Sequence, residues 1–132
     1  MSYLLDTDTC SFHLRNQDRL TTRFVQYSGR ISLPTIVVGE LYAWAYCAPN
    51  SVKLLSMVER LIGDFSILLF DLKCAAQFGE LRGTLRKNGL GVPTADLMIA
   101  SVALVHDLTL VTHNAKDYRL IPNLRLEDWV AA

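Results

Sequence analysis

The sequence predicts an α/β fold in which a parallel sheet carries helices on both faces. Short apolar runs at Tyr3–Leu5, Ile31–Leu33, Ile67–Phe70, Leu108–Val111 and Leu124–Leu126 alternate with longer segments of helical periodicity. Tyr3–Leu5 and the continuous apolar run Ile67–Phe70 suit strands covered on both faces. The second observation is the stretch 91–118, GVPTADLMIASVALVHDLTLVTHNAKDY, which reads as helix, turn, strand, turn. It sets carboxylates at the ends of two very apolar elements.

Taken in order, Tyr3–Leu5 is a central strand that runs into Asp6, Thr7, Asp8 and Thr9. Asp6 then lies at the strand's carboxyl edge, and Asp8 is the residue expected to cap a helix beginning near Thr9. Arg15 to Tyr27 carries a helical pattern with Leu20, Phe24 and Tyr27 on one stripe, closed by Ser28 and Gly29. After the strand Ile31–Leu33, Pro34 and Thr35 open another helix. Inside it Glu40 stands between apolar Val37 and Trp44 at helical spacing. A carboxylate on an apolar face is costly to bury unless it is paired or binds a cation; the alternative is that it lies at the edge of that face.

From Leu41 to Ile62 large apolar groups accumulate, and Pro49 with Asn50 divides them into two helices. Most are core, and part of that surface suits a subunit contact. Asp71 is expected to cap a long helix ended by Gly89. Arg82, Arg86 and Lys87 cluster in its last turns, where the dipole alone explains cations and RNA phosphate contact is the functional alternative. Pro93 and Thr94 start the next helix, with Thr94 as its candidate cap. Asp96 falls in its first turn, where an anion is stabilised by free N–H groups. From Leu97 to Val105 only Ser101 is polar, so that helix is expected to be buried. Thr112, His113, Asn114 and Asp117 form a polar loop after the strand that follows, at the sheet edge where open parallel sheets bind ligands.

The bulk composition narrows the function. A chain of 132 residues is read as one domain, residues 1–132, and buries roughly two-thirds of its unfolded surface. No apolar run reaches the ~18 residues of a membrane span, and the start lacks a basic segment, so a cytoplasmic protein without a membrane partner is expected. Cys10, Cys47 and Cys74 have neither metal spacing nor an even count and read as small buried apolar residues. Thirteen basic and thirteen acidic residues balance, so any nucleic acid must be held by a local patch or a metal.

Asp6, Glu40, Asp96 and Asp117 come from four segments that a parallel α/β fold can bring together. Carboxylates so placed raise one another's pKa, and a hard divalent cation removes the conflict. Oxygen ligands without clustered His or Cys point to Mg²⁺ or Mn²⁺.

At these residues the chain resembles the PIN-domain ribonucleases, and among them the VapC toxins of toxin–antitoxin pairs. The resemblance rests on the opening LLDTDT, on GELYAWA, on PTADLMIASVALVHDLTLVTHNAKDY and on the ending LRLEDW, in the family's order and spanning nearly the whole chain. It implies a three-layer sandwich with a five-stranded parallel sheet in the order 3-2-1-4-5, and RNA cleavage with Mg²⁺ or Mn²⁺. It implies that Asp6, Glu40 and Asp96 bind the metal with Asp117 as the fourth acid, and that Thr112 and Asn114 support Asp117. Asp8 stands where many members have Asn and adds a carboxylate behind the ligands. A homodimer bound by a VapB-type antitoxin is also implied. Two other readings compete. Asp6-Thr7-Asp8-Thr9 resembles the first motif of haloacid-dehalogenase-type phosphatases, with Asp6 as nucleophile, though Cys10 departs from that pattern. A non-catalytic PIN-like binding module is the other, and retention of all four acids argues against it.

Overall fold

A computed structural model of the chain describes residues 1–16 and 18–131. Five parallel strands form one sheet: β1 (Tyr3–Leu5), β2 (Ile31–Pro34), β3 (Ser66–Leu68), β4 (Thr109–Val111) and β5 (Leu126–Glu127). Their spatial order is β3-β2-β1-β4-β5, as the family resemblance implies. The chain moves outward from β1 to β3 and then returns to β4 on the other side of β1. With right-handed crossovers this reversal puts helices on both faces and opens a crevice at the carboxyl ends of β1 and β4.

The helices are α1 (Thr7–Arg15), α2 (Thr21–Gln26), α3 (Thr35–Cys47), α4 (Ser51–Gly63), α5 (Leu72–Lys87) and α6 (Thr94–Val105). α3 packs on α1 and α4, α5 packs on α6, and α3 also touches α6. The core is built where the two central strands meet: Leu4, Leu5, Leu110 and Val111 are wholly buried, with Leu33, Val37, Leu41, Leu97, Ile99 and Val102 around them. Ser101, the polar exception in α6, is buried too, and its hydroxyl donates to the Leu97 carbonyl at 2.7 Å. A satisfied hydroxyl carries little penalty inside a core.

Several local expectations change. The pattern from Arg15 to Tyr27 is not one helix, because Asp18 adopts a left-handed φ of 59° and separates α1 from α2. The turn is closed by the Asp18 carbonyl, which accepts from the Thr21 amide and hydroxyl. The apolar stripe survives, with Leu20 buried and Phe24 and Tyr27 half-buried. Asp8 does not cap α1; Asp6 does, its carboxylate accepting from the Thr9 amide at 2.8 Å, so the helix begins two residues earlier than expected. Thr94 does not cap α6, which starts from Pro93 without a side-chain cap. Cys10 and Cys74 are buried as expected, whereas Cys47 is exposed at the end of α3. β3 covers Ser66–Leu68 in place of Ile67–Phe70, because its partner β2 ends at Pro34, opposite Leu68, and Leu69 emerges 67% exposed. β5 covers Leu126–Glu127 in place of Leu124–Leu126.

Other expectations hold. Pro49 and Asn50 separate α3 from α4. Asp71 caps α5 by accepting from the Cys74 amide at 3.0 Å, and Gly89, at φ 69°, turns the chain out of that helix.

Candidate active site

Asp6 is the most firmly held acid of the crevice. It leaves β1 at the sheet's centre, with its amide donating to the Val111 carbonyl of β4 and its carboxylate capping α1. The Thr9 hydroxyl also donates to the Val111 carbonyl, at 3.1 Å, tying the first turn of α1 to β4. Asp6 is 3% exposed. That burial raises its pKa to about 6, with the Asp8 charge adding to the rise and the Thr112 hydroxyl and Thr9 amide opposing it. Asp8, exposed in the first turn of α1, thus contributes negative charge to the crevice.

Asp96 stands in the first turn of α6, half-buried. Burial raises its pKa, the Tyr118 hydroxyl acts against the rise, and the charges of Asp117, Glu40 and Asp8 add to it. Five acids from three helices and two loops therefore bear on one region. Glu40 arrives there through the packing of α3 on α6 and is held by the Thr7 hydroxyl, which donates to its Oε1. The question left open by its place on an apolar helix face is answered by this contact: the carboxylate is half-buried and satisfied across 33 positions of sequence. Asp117 begins a 3-10 turn, Tyr118–Leu120, after the loop from β4. Thr112, 1% exposed, accepts from the Asn114 amide at 3.0 Å and so shapes that loop.

Tyr118, Thr7 and Thr9 were not among the residues expected from sequence to serve the site. Tyr118 is 2% exposed, its hydroxyl donates toward Asp96 Oδ1, and burial together with the Asp6 and Asp96 charges holds it protonated. The only trace in the sequence is its place next to Asp117. Arg82 is tied elsewhere: it donates to the Val92 carbonyl at 2.8 Å and to the Thr94 hydroxyl at 3.3 Å, and lies over the Phe78 ring. It braces the link between α5 and α6. Arg86 and Lys87 are exposed in the last turn of α5.

Among the described residues, the ion pairs are His13–Asp18, His113–Asp128 and Arg125–Asp107, so no cationic side chain neutralises Asp6, Glu40, Asp96 or Asp117. Nor does any group of three His, Cys, Asp or Glu side chains close around one metal position among those residues. Carboxylates balanced only against one another repel and stand apart. The donor set, all oxygen and of high negative charge, fits a hard divalent cation and does not suit zinc.

Comparison with known proteins agrees with this architecture. The PIN domain family matches residues 3–122. The chain is 32% identical over 130 residues to the tRNA(fMet)-specific endonuclease VapC of Salmonella typhimurium, covering 98% of both chains. It is 33% identical over 132 residues to Ribonuclease VapC2 of Rickettsia felis, again covering 98% of each. Among solved structures it is similar to a DNA-bound VapBC from Salmonella typhimurium, with a TM-score of 0.93, 32% identity and 98% coverage of each chain. These similarities extend over the whole fold and favour the ribonuclease over the phosphatase and the non-catalytic alternatives. The chain belongs to the PIN-domain family and, within it, to the VapC ribonucleases.

Proposed function

We propose that Asp6, Glu40, Asp96 and Asp117 hold Mg²⁺ or Mn²⁺ and that the chain cleaves RNA at this crevice as the toxin of a toxin–antitoxin pair. The observation that carries this reading is the charge imbalance: Glu40, Asp117 and Asp8 all raise the Asp96 pKa, while no described cationic side chain pairs with the site acids. A bound divalent ion supplies an activated water and stabilises charge developing on a phosphodiester. Asp6 supplies a carboxylate fixed by the sheet and by the start of α1, which limits its freedom before substrate arrives. Thr7 fixes Glu40, Tyr118 orients Asp96, and Thr112 with Asn114 shapes the loop that presents Asp117.

The similar structure from Salmonella typhimurium is a VapBC assembly. We take a VapB-type antitoxin as this chain's partner on that ground, and a homodimer as its own state. Tyr46, 68% exposed, and Val52, 83% exposed, lie with half-buried Tyr42, Trp44 and Leu55 on the apolar α3–α4 pair that suits a subunit contact. No helix among the described residues is long and apolar enough to cross a membrane; the likeness to the VapC ribonucleases is our ground for a cytoplasmic protein.

Cleavage assays and thermal melts with Asp96→Asn test the site. The variant should lose Mg²⁺- or Mn²⁺-dependent RNA cleavage yet melt at a higher temperature than wild type in EDTA, because one repelling charge is gone. In saturating Mn²⁺ the order should reverse, since a ligand at a hundred times its dissociation constant stabilises the fold by about 2.7 kcal/mol. Parallel shifts in both buffers, or cleavage in EDTA, would remove Asp96 from the metal site.

A further inference from the structure

We infer that Lys116 and Arg119 form the RNA backbone contact next to the acids, in a cleft at the carboxyl ends of β4 and β5; this rests on the ribonuclease reading above. The cleft measures about 650 Å³ and is lined by Thr112, His113, Asn114, Lys116, Arg119 and Asp128, among others. The chain reverses here in a single turn: the Arg119 amide donates to the Ala115 carbonyl at 3.0 Å, and Tyr118–Leu120 is a 3-10 turn. Lys116, just before the 3-10 turn, and Arg119, within it, both line the cleft wall. Asp117, between them, bears on Asp96 instead. One turn thus gives a carboxylate to the acid cluster and its two cationic neighbours to the adjoining surface.

The lining carries two cations and two carboxylates, and they differ in how far each is engaged. Asp128 is occupied: one carboxylate oxygen meets His113 Nδ1 at 2.9 Å, and the other accepts from the Val130 and Ala131 amides. Glu127 accepts from the Trp129 indole at 3.1 Å. Lys116 and Arg119 are exposed, and neither enters an ion pair among the described residues. Glu127 and Asp128 keep their charge but have oxygens engaged, whereas Lys116 and Arg119 are free to meet a phosphate, in a cleft that adjoins the acids through Thr112, whose hydroxyl acts on Asp6. In a chain of zero net charge, such a local patch is what a phosphodiester backbone requires.

Equilibrium binding of a fluorescein-labelled single-stranded RNA, read by anisotropy in EDTA across a salt series, tests the inference. Lys116→Ala/Arg119→Ala should bind roughly tenfold or more weakly at low salt. Its log–log salt slope should be shallower by about 0.7 for each phosphate contact removed. With metal present, kcat/KM should fall while kcat at saturating RNA holds, and Arg119→Lys should recover most of the binding. Unaltered melting temperature separates this from misfolding, and Lys116→Gln/Arg119→Gln provides a second neutral pair. Unchanged affinity and slope overturn the inference. So does a loss confined to Arg86→Ala/Lys87→Ala, or a pair of variants that keeps RNA but loses a co-expressed partner protein. Wild-type protein that binds RNA through these cations yet never cleaves it would overturn the ribonuclease reading and leave the contact standing.

Discussion

The Tyr118 hydroxyl donates to Asp96 Oδ1 at 3.4 Å, joining the 3-10 turn after β4 to the first turn of α6 across 22 positions of sequence. The contact is longer than a full-strength hydroxyl–carboxylate bond, so its effect is on position and charge more than on stability. It favours the ionised form of a carboxylate whose burial and acidic neighbours favour the protonated one.

Tyr118→Phe should therefore fold, with a stability loss of about 1 kcal/mol or less. Its main effect should be on Asp96, whose pKa rises further once the hydroxyl is gone. Calorimetric titration with Mn²⁺ at about pH 6 and about pH 8 should show weakened affinity that is worst at the lower pH, where more of the carboxyl is protonated. Equal affinity at both would mean that the hydroxyl serves packing alone.

Asp6 makes the metal-free protein sensitive to pH in an unusual direction. Its carboxyl pKa is about 6 in the folded chain against 3.8 ordinarily, so between those values the folded state binds more protons than the unfolded state. Stability from this group is then greatest at low pH and falls as pH rises through that window, by up to about 3 kcal/mol. Asp6→Asn, which keeps a side-chain oxygen to cap α1, should flatten this part of the profile. Denaturant melts in EDTA from pH 4 to pH 6.5, a span of about two and a half units, would show it; identical slopes for wild type and variant would contradict the burial argument.

Arg82 separates bracing from substrate contact. Because its guanidinium holds the Val92 carbonyl and the Thr94 hydroxyl, Arg82→Ala should lower stability by about 1–3 kcal/mol and loosen the start of α6. RNA affinity in EDTA, measured below the variant's melting transition, should keep the wild-type salt slope. A shallower slope with unchanged stability would reassign Arg82 to the RNA surface.

The alternation of short, largely apolar runs with longer helical segments was enough to determine a parallel α/β sheet, since strands joined by helices pair in parallel and are covered on both faces. Asp71 and Gly89 were legible because caps are local: each acts on an amide or a dihedral within a few residues. The motifs around Asp6, Glu40, Asp96 and Asp117 were legible as a family pattern. Their mutual repulsion was legible with it; the hydroxyls of Thr7 and Tyr118 that hold two of them were not.

Only the tertiary structure decided that Asp6, not Asp8, caps α1, because the choice depends on how β1 meets β4 and fixes the chain at Val111. It alone paired Thr7 with Glu40 and Tyr118 with Asp96, contacts made by helices and loops far apart in sequence. It also decided which cations are free. Arg82 and Arg119 are alike in sequence, but one is held by a carbonyl and a hydroxyl ten and twelve residues away while the other lies open beside the acids. Local propensity sets elements and caps; charge coupling falls off over a few ångströms, so it is set only when the packing of α3, α6 and the β4 loop brings separate segments within that reach.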